Sequence, residues 1–139
     1  MVGGPKTIDN NLDRTFMTFG FDAAVPSATD CMDRLHATAT SHRRIMVVEV
    51  MGRYAGWIAL HTGIAGNAYA ILIPEIPHDI EKVAEVVRER ERSGGAYTVV
   101  VVAEGARALG GKVSVSGKAI GQAETLGASA TRSPTGSSS

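Results

Sequence analysis

The sequence predicts an α/β fold, a doubly wound parallel sheet with helices on both faces. Apolar, largely β-branched runs recur at Arg44–Val50, Tyr69–Ile73 and Tyr97–Ala103. Segments of helical character separate them. The runs are continuous rather than alternating, as strands buried on both sides require. With 139 residues, 44% of them hydrophobic and 20% charged, the chain suits one globular domain.

Each element follows from its own pattern. Val25, Ala28, Met32, Leu35 and Ala39 share one helical face. Pro26 is unfavourable inside a helix but welcome in its first turn, and Ser27 and Asp30 have capping-box spacing. The expected helix therefore runs from Pro26–Ser27 to about Thr40, with Cys31 and Met32 packed toward the core. Arg44–Val50 is the first strand, Met51-Gly52-Arg53 its turn, and Tyr54–Ile64 a helix ended by Gly66. Pro74 and Pro77 stop the strand Tyr69–Ile73. Asp79 then caps an amphipathic helix that keeps Ile80, Val83, Ala84 and Val87 inward and Glu81, Lys82, Glu85, Arg88 and Glu89 in water. Gly94-Gly95 ends that helix, and Tyr97–Ala103 is the third strand. Gly110–Gly121 sets small residues against Val113 and Val115, as a loop or a hairpin would. Residues 128–139 are Ser-rich and carry too little apolar area to offset their ordering entropy, so an unstructured tail is expected.

Composition excludes several classes of function. Lys+Arg 14 balances Asp+Glu 14, which argues against nonspecific binding to nucleic acid or to anionic membranes. The lone Cys31 rules out a disulfide framework and a multi-cysteine zinc site. His36, His42, His61 and His78 lack the spacing of a metal set. Ala55–Ile73 is uncharged, but Gly63, Gly66 and Asn67 interrupt it, so it reads as buried helix, turn and strand rather than a membrane span. No signal-peptide pattern opens the chain. A cytoplasmic protein is expected.

Residues suited to chemistry gather in clusters. Pro5-Lys6-Thr7-Ile8-Asp9-Asn10-Asn11 packs a cation, a hydroxyl, a carboxylate and two amides into a turn-rich segment. That composition serves a phosphate beside a general base, and it also makes an ordinary polar loop. Ser41-His42-Arg43-Arg44 stands at the entrance of the first strand and Met51-Gly52-Arg53 at its exit. Guanidinium forks bind phosphate bidentately, Gly52 admits a ligand to the backbone, and a helix starting near Arg53 favours an anion. Equally, Arg43 can be solvated, and Glu49 can pair with a neighbouring arginine. Glu104-Gly105 ends the third strand, where open α/β sheets bind ligands. A carboxylate there can hold sugar hydroxyls or cap the next turn.

Taken in order, these segments resemble the phosphofructokinase family. Pro-Lys-Thr-Ile-Asp-Asn-Asn at 5–11 is similar to its catalytic loop. Ser-His-Arg-Arg-Ile-Met-Val-Val-Glu-Val-Met-Gly-Arg at 41–53 is similar to its most diagnostic motif. Ala-Gly-Trp-Ile-Ala-Leu at 55–60, Ile-Leu-Ile-Pro-Glu at 71–75 and the strand ending at Glu104 extend the likeness over about residues 2–127.

The resemblance implies phosphoryl transfer from ATP or pyrophosphate to the 1-hydroxyl of fructose 6-phosphate, with Mg²⁺ as cofactor. Asp9 then matches the general base and Lys6 lies beside it as a catalytic cation. Thr7 and Ile8 lie at the substrate, Met51, Gly52 and Arg53 match the substrate-binding turn, and Glu104 matches a sugar-hydroxyl contact. Arg44 matches an arginine that reaches the 6-phosphate bound by a neighbouring subunit, which implies a homo-oligomer, dimer or tetramer, with shared sites. Lys6 occurs in pyrophosphate-dependent members and in some ATP-dependent ones. Asn11 stands where the family usually has a second aspartate, which removes a negative charge near the Mg²⁺–phosphate assembly. His36 falls where bacterial ATP enzymes keep an effector-binding arginine.

By the same likeness, residues 1–20 form a catalytic loop belonging to a donor-binding domain, and 21–127 an incomplete sugar-phosphate-binding domain. The family's donor loops and Mg²⁺-binding aspartate are expected upstream, so the chain reads as a fragment inactive on its own. The alternative expectation is a non-catalytic sugar-phosphate-binding domain or a regulatory subunit built from one.

Overall fold

The computed structural model describes residues 1–42 and 44–110. The expectations for Arg43, for the Val113/Val115 alternation and for the tail at 128–139 lie outside the described residues. The elements run α1 (Phe21–His42), β1 (Ile45–Val50), α2 (Trp57–Ala65), β2 (Ala70–Leu72), α3 (Ile80–Arg92) and β3 (Thr98–Ala103). The strands form a parallel sheet in the order β1-β3-β2. Ile45 stands opposite Thr98 and Val50 opposite Ala103, while Ala70 to Leu72 face Val100 to Val102.

Strand order and handedness distribute the helices. A right-handed crossover from β1 to β2 puts α2 on one face, and the return from β2 to β3 puts α3 on the other. On the α2 side, Met32, Ala59, Val99, Val101 and Ala103 form the core, with Met46, Val48, Val50, Ile71 and Ile73 packed around them. The odd-numbered residues of β3 and the even-numbered residues of β1 share this face, as their register requires.

Burial on both faces holds for the central strand β3, whose residues are nearly all buried. It does not hold for β1, where exposed and half-buried residues alternate and Ile45 and Val47 stay 48% and 45% exposed. The apolar run there is continuous, but β1 is an edge of the described sheet and α3 does not reach across it. In α3, Val87 is buried while Ile80 remains exposed.

Helix α1 begins earlier than its sequence suggests, and Pro26 lies inside it. The extra turn is anchored at both ends of its backbone and by packing. Phe21 N–H donates to Thr18 O at 3.2 Å and Ala24 N–H to Gly20 O at 3.0 Å. The buried Phe21 ring meets His61 of α2 edge-on at 5.2 Å. These contacts offset the helical bond that Pro26 cannot donate. Asp30, placed by spacing in a capping box, instead pairs with Arg34 at 2.9 Å one turn on. Met32 is core, but Cys31 is exposed. Neighbours on a helix point about 100° apart, so the two cannot share the inward face.

Asp79 caps α3 as its position suggests, accepting from Glu81 N–H at 3.0 Å. Among the described residues no helix is long and apolar enough to cross a membrane.

Candidate functional site

Parallel strands all present their carboxyl ends to one edge of the sheet, and the turn Met51-Gly52-Arg53 meets Glu104-Gly105 there. Glu104 N–H continues the ladder to Val50 O at 2.9 Å. That bond sets Glu104-Gly105 directly against the turn leaving β1. Arg53 N–H donates to Glu104 Oε2 across 3.4 Å, a long bond. A Cβ added to Gly105 would overlap Arg53 O, so only glycine permits this approach. Arg53 itself holds a left-handed backbone, φ 46°, of the kind found where structure over-determines a strained residue. Ala55 N–H closes the turn onto Gly52 O at 2.8 Å. Met51, Arg53 and Glu104 are exposed on this rim and Gly52 is buried beneath it.

The helix after the turn starts at Trp57, not beside Arg53, and its N-terminal anion is a protein carboxylate. Glu75 Oε1 accepts from Gly56 N–H at 2.8 Å. The place expected for a ligand anion at that helix end is therefore taken by Glu75. Sequence reasoning included Glu75 in a matching motif but gave it no role. Its signal was a carboxylate directly after Pro74 at a strand end.

The catalytic-type cluster forms a separate structure ahead of α1. Phe19 N–H donates to Pro5 O and Gly20 N–H to Thr7 O, both at 3.1 Å, which folds the segment back on itself. Asn10 has φ 53° and its Oδ1 accepts from the Thr18 N–H at 3.0 Å. Thr7 Oγ1 accepts from Asp9 N–H at 3.2 Å. These bonds hold Asp9 half-buried, while its carboxylate makes no hydrogen bond or ion pair among the described residues. Lys6 is exposed, Ile8 is half-buried and Asn11 is exposed. Packing of Phe21 on His61, and of His61 on Trp57 at 6.1 Å, ties this loop to the first turns of α2. No hydrogen bond joins the loop to the rim among the described residues.

Arg44 stands apart from both. Its carbonyl accepts from Thr98 N–H at the amino end of the sheet. Six strand residues separate it from Met51, roughly 20 Å at ~3.3 Å each. Within one chain Arg44 and the rim lie at opposite edges of the sheet. Glu49 makes no ion pair among the described residues.

The histidines are structural or peripheral. His36 Nε2 donates to Gly66 O at 2.8 Å, since a carbonyl can only accept, and Nδ1 meets the Tyr97 hydroxyl at 2.9 Å. His36 thus ties α1 to the end of α2 and to the approach of β3. His78 pairs with Ala108 beyond the sheet. Among the described residues no three His, Cys, Asp or Glu side chains converge on a cation site. A cleft of about 280 Å³ lies among Asn67, Tyr69, Arg90 and Tyr97, and contains none of the loop or rim residues.

Known proteins match this chain over most of its length. The family described as Phosphofructokinase matches residues 1–134, past the point where the motif likeness ends. An ATP-dependent 6-phosphofructokinase of Chloroflexus aggregans is 62% identical over 111 residues, covering 80% of this chain and 31% of the relative. ATP-dependent 6-phosphofructokinase 2 of Clostridium perfringens is 60% identical over 116 residues, covering 84% and 32%. The chain therefore spans about a third of the length of the curated relatives it matches. Among solved structures, phosphofructokinase from Saccharomyces cerevisiae superposes with a TM-score of 0.69 at 40% identity, over 73% of this chain and 14% of that one. A pyrophosphate-dependent phosphofructokinase from Marinobacter aquaeolei gives 0.70 at 36% identity, over 76% and 29%.

Proposed function

The chain belongs to the phosphofructokinase family, and on that premise we propose that its carboxyl-edge rim binds fructose 6-phosphate for phosphoryl transfer to the 1-hydroxyl. The observation that carries the reading is the contact of Gly52-Arg53 with Glu104-Gly105, which brings an exposed cation and an exposed carboxylate to one open edge. Glu104 accepts hydrogen bonds from sugar hydroxyls, and Met51 and Arg53 line the sugar beside it. Asp9 takes the proton from the 1-hydroxyl as that oxygen attacks the terminal phosphorus of the donor and the bond from that phosphorus to the departing ADP or phosphate breaks. Its uncommitted carboxylate suits a general base. Lys6 offsets the negative charge that accumulates on the transferring group, and Thr7 and Ile8 hold the acceptor in place. Arg44 reaches the 6-phosphate held by a second copy, which makes the working unit a homo-oligomer.

The donor is ATP or pyrophosphate, and relatives of both kinds match the chain. Mg²⁺ is the family's expected cofactor, but the described residues offer no converging donor set for it.

Titration calorimetry of the chain with fructose 6-phosphate, set against fructose and inorganic phosphate, tests the reading. Saturable binding of the sugar phosphate alone, reduced at least tenfold by Glu104→Ala, is the expected result. Equal binding of all three, or none, would sink it. A coupled kinase assay on the same chain then separates a catalytic unit from a binding domain.

A further inference from the structure

We infer that Glu75 is a positioning residue for the substrate turn Met51–Gly56, and that it thereby leaves the Glu104 carboxylate free to exchange its bond for a sugar hydroxyl. The second half of this inference rests on the proposed fructose 6-phosphate site. The first half stands on geometry alone.

Two carboxylates touch the backbone of this turn, and they hold it unequally. Glu104 Oε2 reaches Arg53 N–H across 3.4 Å, whereas Glu75 Oε1 reaches Gly56 N–H at 2.8 Å. The shorter bond is charge-assisted and sits at the N-terminus of α2, where the macrodipole favours a negative group. The long bond is the one a ligand can displace with little loss.

Packing confines the same corner. A Cβ on Gly56 would fall 2.5 Å from Ile73 Cβ and 2.8 Å from Glu75 Oε2. The chain leaving β2 is therefore pressed against the entry to α2. Pro74, between these two residues, lies 3.3 Å from the place a Cβ of Gly105 would take. The segment Ile73–Glu75 thus braces the turn from one side and the Glu104-Gly105 corner from the other. Without the Glu75 brace, the turn would keep its internal Ala55–Gly52 bond, and of the two carboxylate bonds to its backbone only the long one from Arg53 to Glu104 would remain. In that case Glu104 could not serve both the turn and a ligand.

Amide hydrogen exchange and calorimetry on Glu75→Ala and Glu75→Gln test this. The reporter is the Ala55 N–H, whose own acceptor is Gly52 O and not Glu75. The Val101 amide, in the buried centre of β3, reports global opening. Expected for Glu75→Ala is about tenfold faster exchange at Ala55 with Val101 unchanged, together with about tenfold weaker binding of fructose 6-phosphate. Glu75→Gln keeps a carbonyl acceptor and should recover most of both losses. Unchanged exchange at Ala55, or an equal rise at Val101, would overturn the positioning role. If the parent chain does not bind the sugar phosphate while Ala55 still responds, the substrate reading fails and the brace stands.

Discussion

The loop at 5–20 and the rim at 51–56 carry similar residue types, each with glycine, at least one cation and a carboxylate in or beside it. They are held by opposite means. Asn10 bonds Thr18 eight residues on, and Thr7 bonds Asp9 two residues on. At the rim, Arg53 depends on Glu104, 51 residues away, and Gly56 on Glu75, 19 away. Short closures cost little chain entropy and form from local turn chemistry. The rim exists only once β1 and β3 have paired and the end of β2 has come alongside. One cluster carries its shape with it, and the other borrows its shape from the sheet.

The largest expected effect separates the two in function. Asp9→Asn, made in a full-length enzyme that carries this stretch, should lower kcat by about 10²–10⁴, the range for removing a general base. Steady-state kinetics measures it, and KM for fructose 6-phosphate should change far less because the rim is untouched. An unaltered kcat would remove Asp9 from proton transfer.

Breaking the rim comes next. Gly105→Ala forces a methyl group onto Arg53 O, and overpacking of this kind costs about 1–3 kcal/mol. Urea denaturation should show a lower midpoint, and calorimetry a loss of sugar-phosphate binding. A midpoint within error of the parent would mean that the turn at Arg53 yields freely, and the contrast with the loop would lose its basis.

The smallest effect is local to the loop. Asn10→Ala removes the acceptor for Thr18 N–H at a cost of about 1 kcal/mol. Exchange at the Thr18 amide should quicken while Ala55 in the rim stays protected. Simultaneous loosening of both would show that loop and rim form one cooperative unit.

The residues show unevenly what could be read in advance. Asp79 was legible as a cap because an N-cap acts on the N–H groups just ahead of it. The three apolar strands were legible because β-branched runs bounded by glycine and proline have few other uses. The start of α1 was not legible. Pro26 is a strong local signal for a first turn, and the backbone bonds at Phe21 and Ala24 with the burial of Phe21 against His61 override it. Nor was the open face of β1, since Ile45-Met46-Val47-Val48 reads the same at the centre of a sheet or at its edge. At the rim, the meeting of Gly52, Arg53 and Glu104 was legible from their positions at strand ends that share one edge. Glu75 was not, because its partner Gly56 is a backbone amide that any residue but proline could supply.

Local chemistry along the chain determined the class of fold, the order of its elements and the groups available for reaction. Periodicity, capping and turn preference act within a few residues and can be read from the order of amino acids. Which faces are covered, which carboxylate braces and which is free, and why Gly105 can be nothing larger were decided by the sheet. Parallel pairing brings residues tens of positions apart within hydrogen-bond reach, and distances of that kind are a property of the packed chain alone.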